Sequence, residues 1–305
     1  MTTLPAPGDS NTLYIVDLLA YVFRAYHAAK HPMSSPKGEP THATLMTMAL
    51  LNRFINDRDP MLLAVAMDSK TPSFRKSIDH NYKANRPPPP ADLAAQIDRI
   101  LSLIDLLGIQ VWQQDGAEAD DIIASAVCSA TAKGLRVVIA SADKDLMQLV
   151  GDRVVMWDSM RNIVYGPEEV VAKFGVRPDQ MRDLLALMGD SSDNIAGIPS
   201  VGRKTAATLL AKYSSIDAIY KSIYGIKGTL QEKLATHRAS LDLARKLVTL
   251  RDDLDIVIDM AALDYRQRMN LKGLGEAYAE LGFSRTWKTG QSCASSDDGE
   301  NIGWP

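Results

Sequence analysis

Nine carboxylates carry the chemistry this chain could do, because they sit where isolated acids are unwelcome. Asp17 ends the apolar run Leu13–Val16, Asp68 ends Leu62–Met67, and Asp143 and Asp145 follow Val137–Ala140. Each run is short, apolar and partly β-branched, the pattern of a strand buried on both faces in a parallel sheet. Ligands in open α/β sheets bind beyond the carboxyl ends of the strands. Three strands therefore deliver acids to one edge. Glu118, Asp120 and Asp121 form one further cluster and Asp190 and Asp193 another, both at helix ends that can reach the same place. So many like charges share a site only if cations hold them together. An oxygen-only donor set without Cys or His favours hard divalent ions, Mg²⁺ or Mn²⁺. A lone Asp after a strand is usually a turn residue or helix N-cap, so this reading rests on the set and on no single member.

Around these acids the composition is that of an ordinary globular protein. At 305 residues the chain can bury one large core or two modest ones. No uninterrupted apolar stretch is long enough to span a bilayer, and MTTLPAPGDSN lacks the layout of a secretory signal. Two cysteines make no disulfide framework: Cys128 reads as buried packing in an apolar helix and Cys293 lies in a polar tail. The five histidines show no zinc spacing. A reducing cytoplasm is the natural compartment. The net charge of −3 is only weak evidence against a polyanionic partner. Charges segregate, and neutralising the nine acids would leave the remaining surface net basic.

Residues 1–11 read as a disordered lead-in, and residues 12–165 alternate strand and helix, predicting a mostly parallel sheet flanked by helices. Helical periodicity runs over 44–56, 92–107 and 118–133, the last closed by Gly134, and Val154–Trp157 adds a strand. Residues 69–90 interrupt the scheme with a basic insert ending in four prolines. It emerges beside Asp68, at the rim of the acidic site, where inserted loops are commonly lids. If 77–86 is helical, Lys83 and Arg86 face the same way with Tyr82 one turn before Arg86, which suits a phosphate chain with stackable bases. From 166 to 284 the chain reads as helical. Two of its helices, over 178–188 and 202–213, are joined by a segment ending Gly197-Ile-Pro-Ser200-Val-Gly202 and followed by Arg203 and Lys204. Glycines there allow close backbone approach, and the free N–H groups of a helix start bind phosphate. Residues 285–305 read as a disordered tail or linker.

Together these motifs resemble the 5′ nuclease domain at the N-terminus of bacterial DNA polymerase I, within the flap endonuclease family. The resemblance spans about Leu13 to Phe283 and rests on ValAsp at 16–17, TyrLysAlaAsnArgPro at 82–87, AlaGluAlaAspAsp at 117–121, SerAlaAspLysAspLeu at 141–146 and LeuMetGlyAspSerSerAspAsn at 187–194. It implies a resolvase-like α/β fold with a helix–hairpin–helix region, and a metal-dependent structure-specific 5′–3′ exonuclease and flap endonuclease of replication and repair. Asp17, Asp68, Glu118, Asp120 and Asp121 match a first metal cluster, and Asp143, Asp145, Asp190 and Asp193 a second, for two or three ions. Lys83 and Arg86 match the catalytic cations of a helical arch. Arg24 and His27 match positions near the entrance, and Arg75 and Tyr82 count with the DNA contacts. Gly197, Ser200, Gly202, Arg203 and Lys204 would hold duplex DNA, with K⁺ bridging the hairpin. Ser200 and Ala196 stand where the family usually has glycine and often proline. The implied partner is branched or nicked DNA, met by a nucleoid-associated monomer. A DNA-binding module without cleavage, an RNA nuclease and a phosphatase with an Asp-x-Asp nucleophile are the competing readings. The complete acid set, the basic insert with the hairpin, and the late position of Asp143-Lys144-Asp145 weigh against them in turn.

Overall fold

Residues 12–17 form strand β1 (Thr12–Asp17), buried at every position because helices cover both faces of the sheet it belongs to. Leu13 and Ile15 point into one apolar layer, and Tyr14 and Val16 into the other. In the computed structural model, which describes residues 2–28 and 31–283, β2 (Leu62–Ala66), β3 (Gln110–Trp112), β4 (Arg136–Ala140), β5 (Val154–Asp158) and β6 (Ile163–Tyr165) complete the sheet. The order is β3-β2-β1-β4-β5-β6, parallel except for β6. The mostly parallel architecture expected from the sequence is the one observed. β3 and β6 are three residues each, too short to leave a period in the sequence.

One layer holds α1 (Leu18–Ala28), α2 (His42–Arg58) and α4 (Ala91–Leu106). The other holds α5 (Ala119–Ala132) and a helical region of α6 (Pro167–Phe174), α7 (Met181–Met188), α8 (Arg203–Tyr213), α9 (Ile216–Lys221), α10 (Thr229–Thr236) and α11 (Arg238–Val248). α3 (Arg75–Ile78) is a single turn in the insert. The last helices, α12 (Met260–Leu263) and α13 (Leu271–Glu280), follow the helical region in sequence, yet α13 returns to the first layer. Tyr265, Leu274 and Tyr278 join the α4 side, and the Asn270 amide donates to the Leu106 carbonyl at 2.7 Å. Among the described residues no helix is long and apolar enough to cross a membrane.

Three expectations change. Residues 2–11 are not loose: the Thr2 amide and hydroxyl donate to the Glu169 carboxylate at 2.9 and 2.6 Å, and the Gly8 amide donates to the Arg58 carbonyl. Those partners lie far along the chain, so local composition could not reveal them. Cys128 is exposed on α5 and not buried. Residues 77–86 are not helical beyond Ile78, because the Asp79 side chain accepts the Asn81 amide at 2.8 Å and turns the chain. The tail at 285–305, with Cys293, lies outside the described residues.

Candidate metal centre and nucleic-acid interface

β1 and β4 are adjacent, and the chain winds outward from them in opposite directions. A crevice opens beyond the carboxyl ends of the strands at such a switch point. Asp17 ends β1 there, and Asp143 and Asp145 follow β4. A cavity of about 200 Å³ at this place is lined by Asp17, Asp68, Asp120, Asp143, Asp145, Asp190 and Asp193 together with Lys83, Arg86 and Lys144. Seven of the nine expected acids are thus brought together.

Several are positioned by hydrogen bonds from the strand and helix ends beside them. Asp17, 6 % exposed, accepts the Ala20 amide at 3.2 Å and the Ser141 hydroxyl at 2.9 Å. The same Ser141 oxygen accepts the Asp143 amide at 3.1 Å, which ties the ends of β1 and β4 together. Asp68 accepts the Ala119 amide at 2.6 Å and so stands at the positive end of α5. Asp190 and Asp193 lie in a tight turn closed by paired backbone hydrogen bonds between Asp190 and Ile195 at 2.9 and 2.8 Å.

The electrostatics are those of acids crowded out of water. Burial, with Asp143 next to it, pushes the Asp17 and Asp145 carboxyls up to about 7. Burial, with Asp143, Asp17 and Asp145, raises Asp120 well above the usual carboxylate range. Burial would raise Asp190 too, but hydrogen bonds from Lys144 and Ser192 hold it below that range. Lys83 resists the lowering that burial brings because Glu118 and Asp193 flank its ammonium at 3.0 and 3.9 Å.

The donor set suits a divalent ion. All donors are carboxylate oxygens, and one of them, Asp145 Oδ1, is buried without a hydrogen-bond partner. Burial and mutual repulsion raise these carboxyls, and a bound cation would relieve both. No three His, Cys, Asp or Glu side chains among the described residues yet converge on one ligating point. Lys83, Arg86 and Lys144 lie among them, with Arg86 and Lys144 bound to Asp193 and Asp190. The chemistry fits a hard divalent cation, and these ammonium and guanidinium groups mark the charge it would take over.

Two expected ligands are placed differently. Asp121 is fully buried and does not line the cavity. Its oxygens receive a fork from Arg75 at 2.6 and 2.8 Å, and one also receives the Arg251 amide at 2.9 Å. The other accepts the Glu118 amide at 3.4 Å, completing a capping box on α5. Asp121 is therefore a helix-capping partner of Arg75. Glu118 does not line the cavity either; it is bound to Lys83, to the Tyr82 hydroxyl at 2.9 Å and to Arg75 at 3.2 Å.

The expected nucleic-acid contacts divide in the same way. Arg75, 2 % exposed, cannot meet a phosphate, and Tyr82 is buried, its hydroxyl bridging Glu118 and Asp193. Sequence reasoning read both from their neighbours in a basic run, which carries no signal of burial. Lys83 takes a left-handed backbone with φ 55°, and its amide donates to the Asp193 carbonyl at 2.9 Å. Strain of that kind persists where surrounding contacts over-determine it. The insert is thus folded down onto the 190–194 turn, with Asn85 also bonded to the Ser191 carbonyl at 2.7 Å. Arg24 lies outside the cavity against buried Asp158 at 2.9 Å, and His27 is exposed on the last turn of α1. Sequence reasoning missed Ser141 and Lys144, although both lie inside a quoted motif.

The hairpin needs its glycines. A Cβ on Gly189, whose φ is 71°, would stand 2.3 Å from the Gly197 nitrogen, so the two backbones touch. Ile198 and Val201 are buried anchors, and Ser200 holds φ 66° without glycine. Gly202, Arg203 and Lys204 are exposed at the start of α8.

Residues 12–175 match the family of the 5′-3′ exonuclease, N-terminal resolvase-like domain, and residues 176–270 match the 5′-3′ exonuclease, C-terminal SAM fold. A 5′-3′ exonuclease of Aquifex aeolicus is 38 % identical over 88 % of this chain and 92 % of its own length. The thermostable DNA polymerase I of Thermus aquaticus is 35 % identical over 90 % of this chain but 32 % of its own, so the chain spans about a third of that polymerase. In fold, the T5 5′-exonuclease with bound zinc has a TM-score of 0.64 at 20 % identity, covering 88 % of this chain and 98 % of its own. The catalytic core of Rad2 in complex with DNA substrate has a TM-score of 0.57 at 13 % identity, covering 90 % and 88 %. A model match across both regions and a relative of similar length at this identity place the chain: it belongs to the 5′-3′ exonuclease family.

Proposed function

We propose that this chain hydrolyses phosphodiester bonds of DNA at 5′ ends and 5′ flaps, using divalent ions held by the acids at the β1/β4 switch point. The observation that carries the reading is the convergence of seven carboxylates and three cations on one small cavity. Bound Mg²⁺ or Mn²⁺, two or three ions, would supply an activated water and stabilise the departing 3′ oxygen. The protein's own part is to place and neutralise the phosphate. Lys83 and Arg86 hang over the acids from the insert, and each can exchange its carboxylate partner for a phosphate oxygen as negative charge grows there. The left-handed turn at Lys83 and the anchored 190–194 turn limit how far that ammonium can stray. Asp17 and Asp143, joined through Ser141, keep the two strand ends in register with each other.

The exposed start of α8, with Arg203 and Lys204, supplies backbone N–H groups and charge for a duplex phosphate, with K⁺ at the hairpin carbonyls. Such contacts fix position and not sequence, so specificity follows DNA shape. We place the enzyme as a monomer acting on branched or nicked DNA at the bacterial nucleoid, with residues 12–165 carrying the chemistry together with Asp190 and Asp193, and the rest of 166–284 holding the duplex. Profiling on 5′-flap DNA, the matching RNA and a phosphomonoester tests this. Metal-dependent cutting of flap DNA alone, leaving a 5′-phosphate and a 3′-hydroxyl, is expected. Preferential release of phosphate from the monoester, or of RNA fragments, would contradict it.

A further inference from the structure

We infer that the C-terminal turn of α11 is a positioning platform that sets the spacing between the two groups of acids, with Gln148 and Arg75 as its positioning residues. The last carbonyls of a helix have no partner within it and must find one elsewhere. In α11 those partners are two side chains, each tied to one of the acid-bearing segments. Arg75 Nε donates to the Leu247 carbonyl at 2.7 Å and its Nη2 to the Thr249 carbonyl at 3.0 Å. Gln148 Nε2 donates to the Val248 carbonyl between them, at 3.0 Å.

The two side chains connect to opposite groups. Gln148 sits in the short 3₁₀ turn Asp145–Leu149, whose first residue is one of the cavity acids. Arg75 holds the first turn of α5 through Asp121 and Glu118, and that turn carries Asp120, another cavity acid. The platform itself ends a helix of the region that also carries the hairpin and α8. Seating of this region on DNA is therefore felt at both groups of acids through two side chains and three carbonyls. Neither Gln148 nor Arg75 lines the cavity, so both act through the acids they hold.

This inference rests on the proposal that the acids hold divalent ions. Its test is calorimetric titration of the full chain with Mn²⁺, run beside single-turnover flap cleavage and duplex affinity. Gln148→Met keeps length and loses the donor. Arg75→Lys keeps the charge beside Asp121 and loses the fork that spans two carbonyls. Each is expected to weaken Mn²⁺ binding ~10-fold, the scale on which groups behind a ligand act. Cleavage should fall with it and be largely restored by excess Mn²⁺, while duplex affinity holds. Mn²⁺ isotherms identical to wild type in both variants, whatever their melting temperatures, overturn the inference alone. A wild-type chain that takes up no Mn²⁺ overturns it together with the reading it rests on. Mn²⁺ uptake that weakens as predicted, in a chain that cuts no DNA, supports the platform and removes the proposed hydrolysis.

Discussion

Asp145→Asn should make the metal-free protein more stable at alkaline pH while abolishing its chemistry. Burial and Asp143 push the Asp145 carboxyl from 3.8 up to about 7. A folded-state value above the unfolded one means that the folded protein binds a proton the unfolded chain has already lost. Stability of the metal-free protein therefore falls as pH rises from about 4 to about 7 and levels off above. A shift of about three units corresponds to a ceiling of roughly 4 kcal/mol. Asp17, Asp120 and Asp143 share the same field, so relief of one charge should recover about 1–2 kcal/mol. For a chain of this size that is a rise in melting temperature of about 1.5–3 °C. Thermal unfolding in EDTA would show the gain at about pH 8 and none near pH 4, where the native carboxyl is already neutral. Saturating Mg²⁺ should reverse the order, because the wild type alone offers the full carboxylate set. A variant less stable than wild type at both pH values in EDTA would refute the claim that this acid is held against its own charge.

Other substitutions separate residues that the sequence grouped together. Lys83→Ala should lower single-turnover cleavage ~10²-fold with little change in flap affinity; equal losses in both would remove its proposed role on the phosphate. Arg75→Ala should cost about 3–5 kcal/mol in chemical denaturation, since it leaves Asp121 charged, buried and without its fork. A stable Arg75→Ala protein with a flatter salt dependence of DNA binding would return that arginine to the DNA surface. Lys204→Ala should reduce the slope of log affinity against log salt by about one, uniformly across sequences; an unchanged slope would take the hairpin out of phosphate contact.

The sheet and the acidic edge were legible because both follow from local pattern. Runs such as Leu13–Val16 and Val137–Ala140 need only apolar, partly β-branched residues to declare themselves, and the acids stand at their ends. β3 and β6 escaped because three residues carry no period. The insert was misread where side chains decide the backbone: Asp79 takes the Asn81 amide and ends the turn of α3, so no helix presents Lys83 and Arg86. Burial of Arg75 and Tyr82 was hidden because their partners, Asp121, Leu247, Thr249 and Asp193, come from distant segments. Asp121 shows the converse. A motif of adjacent acids suggests equal roles, but successive residues of a helix face different ways. Asp120 lines the cavity while Asp121 caps the helix and does not line it.

The central claim is that the acids at the β1/β4 switch point hold the ions that cut DNA. The most direct test is a single-turnover assay on 5′-labelled flap DNA with Mg²⁺, comparing wild type with Asp143→Ala and measuring flap affinity of both in Ca²⁺. Asp143 borders Asp17, Asp120 and Asp145 in the electrostatics of the site, so its loss should abolish cutting near the junction while leaving flap affinity nearly intact. Wild-type rates in Asp143→Ala, or tight flap binding by wild type without any cutting, would contradict the account.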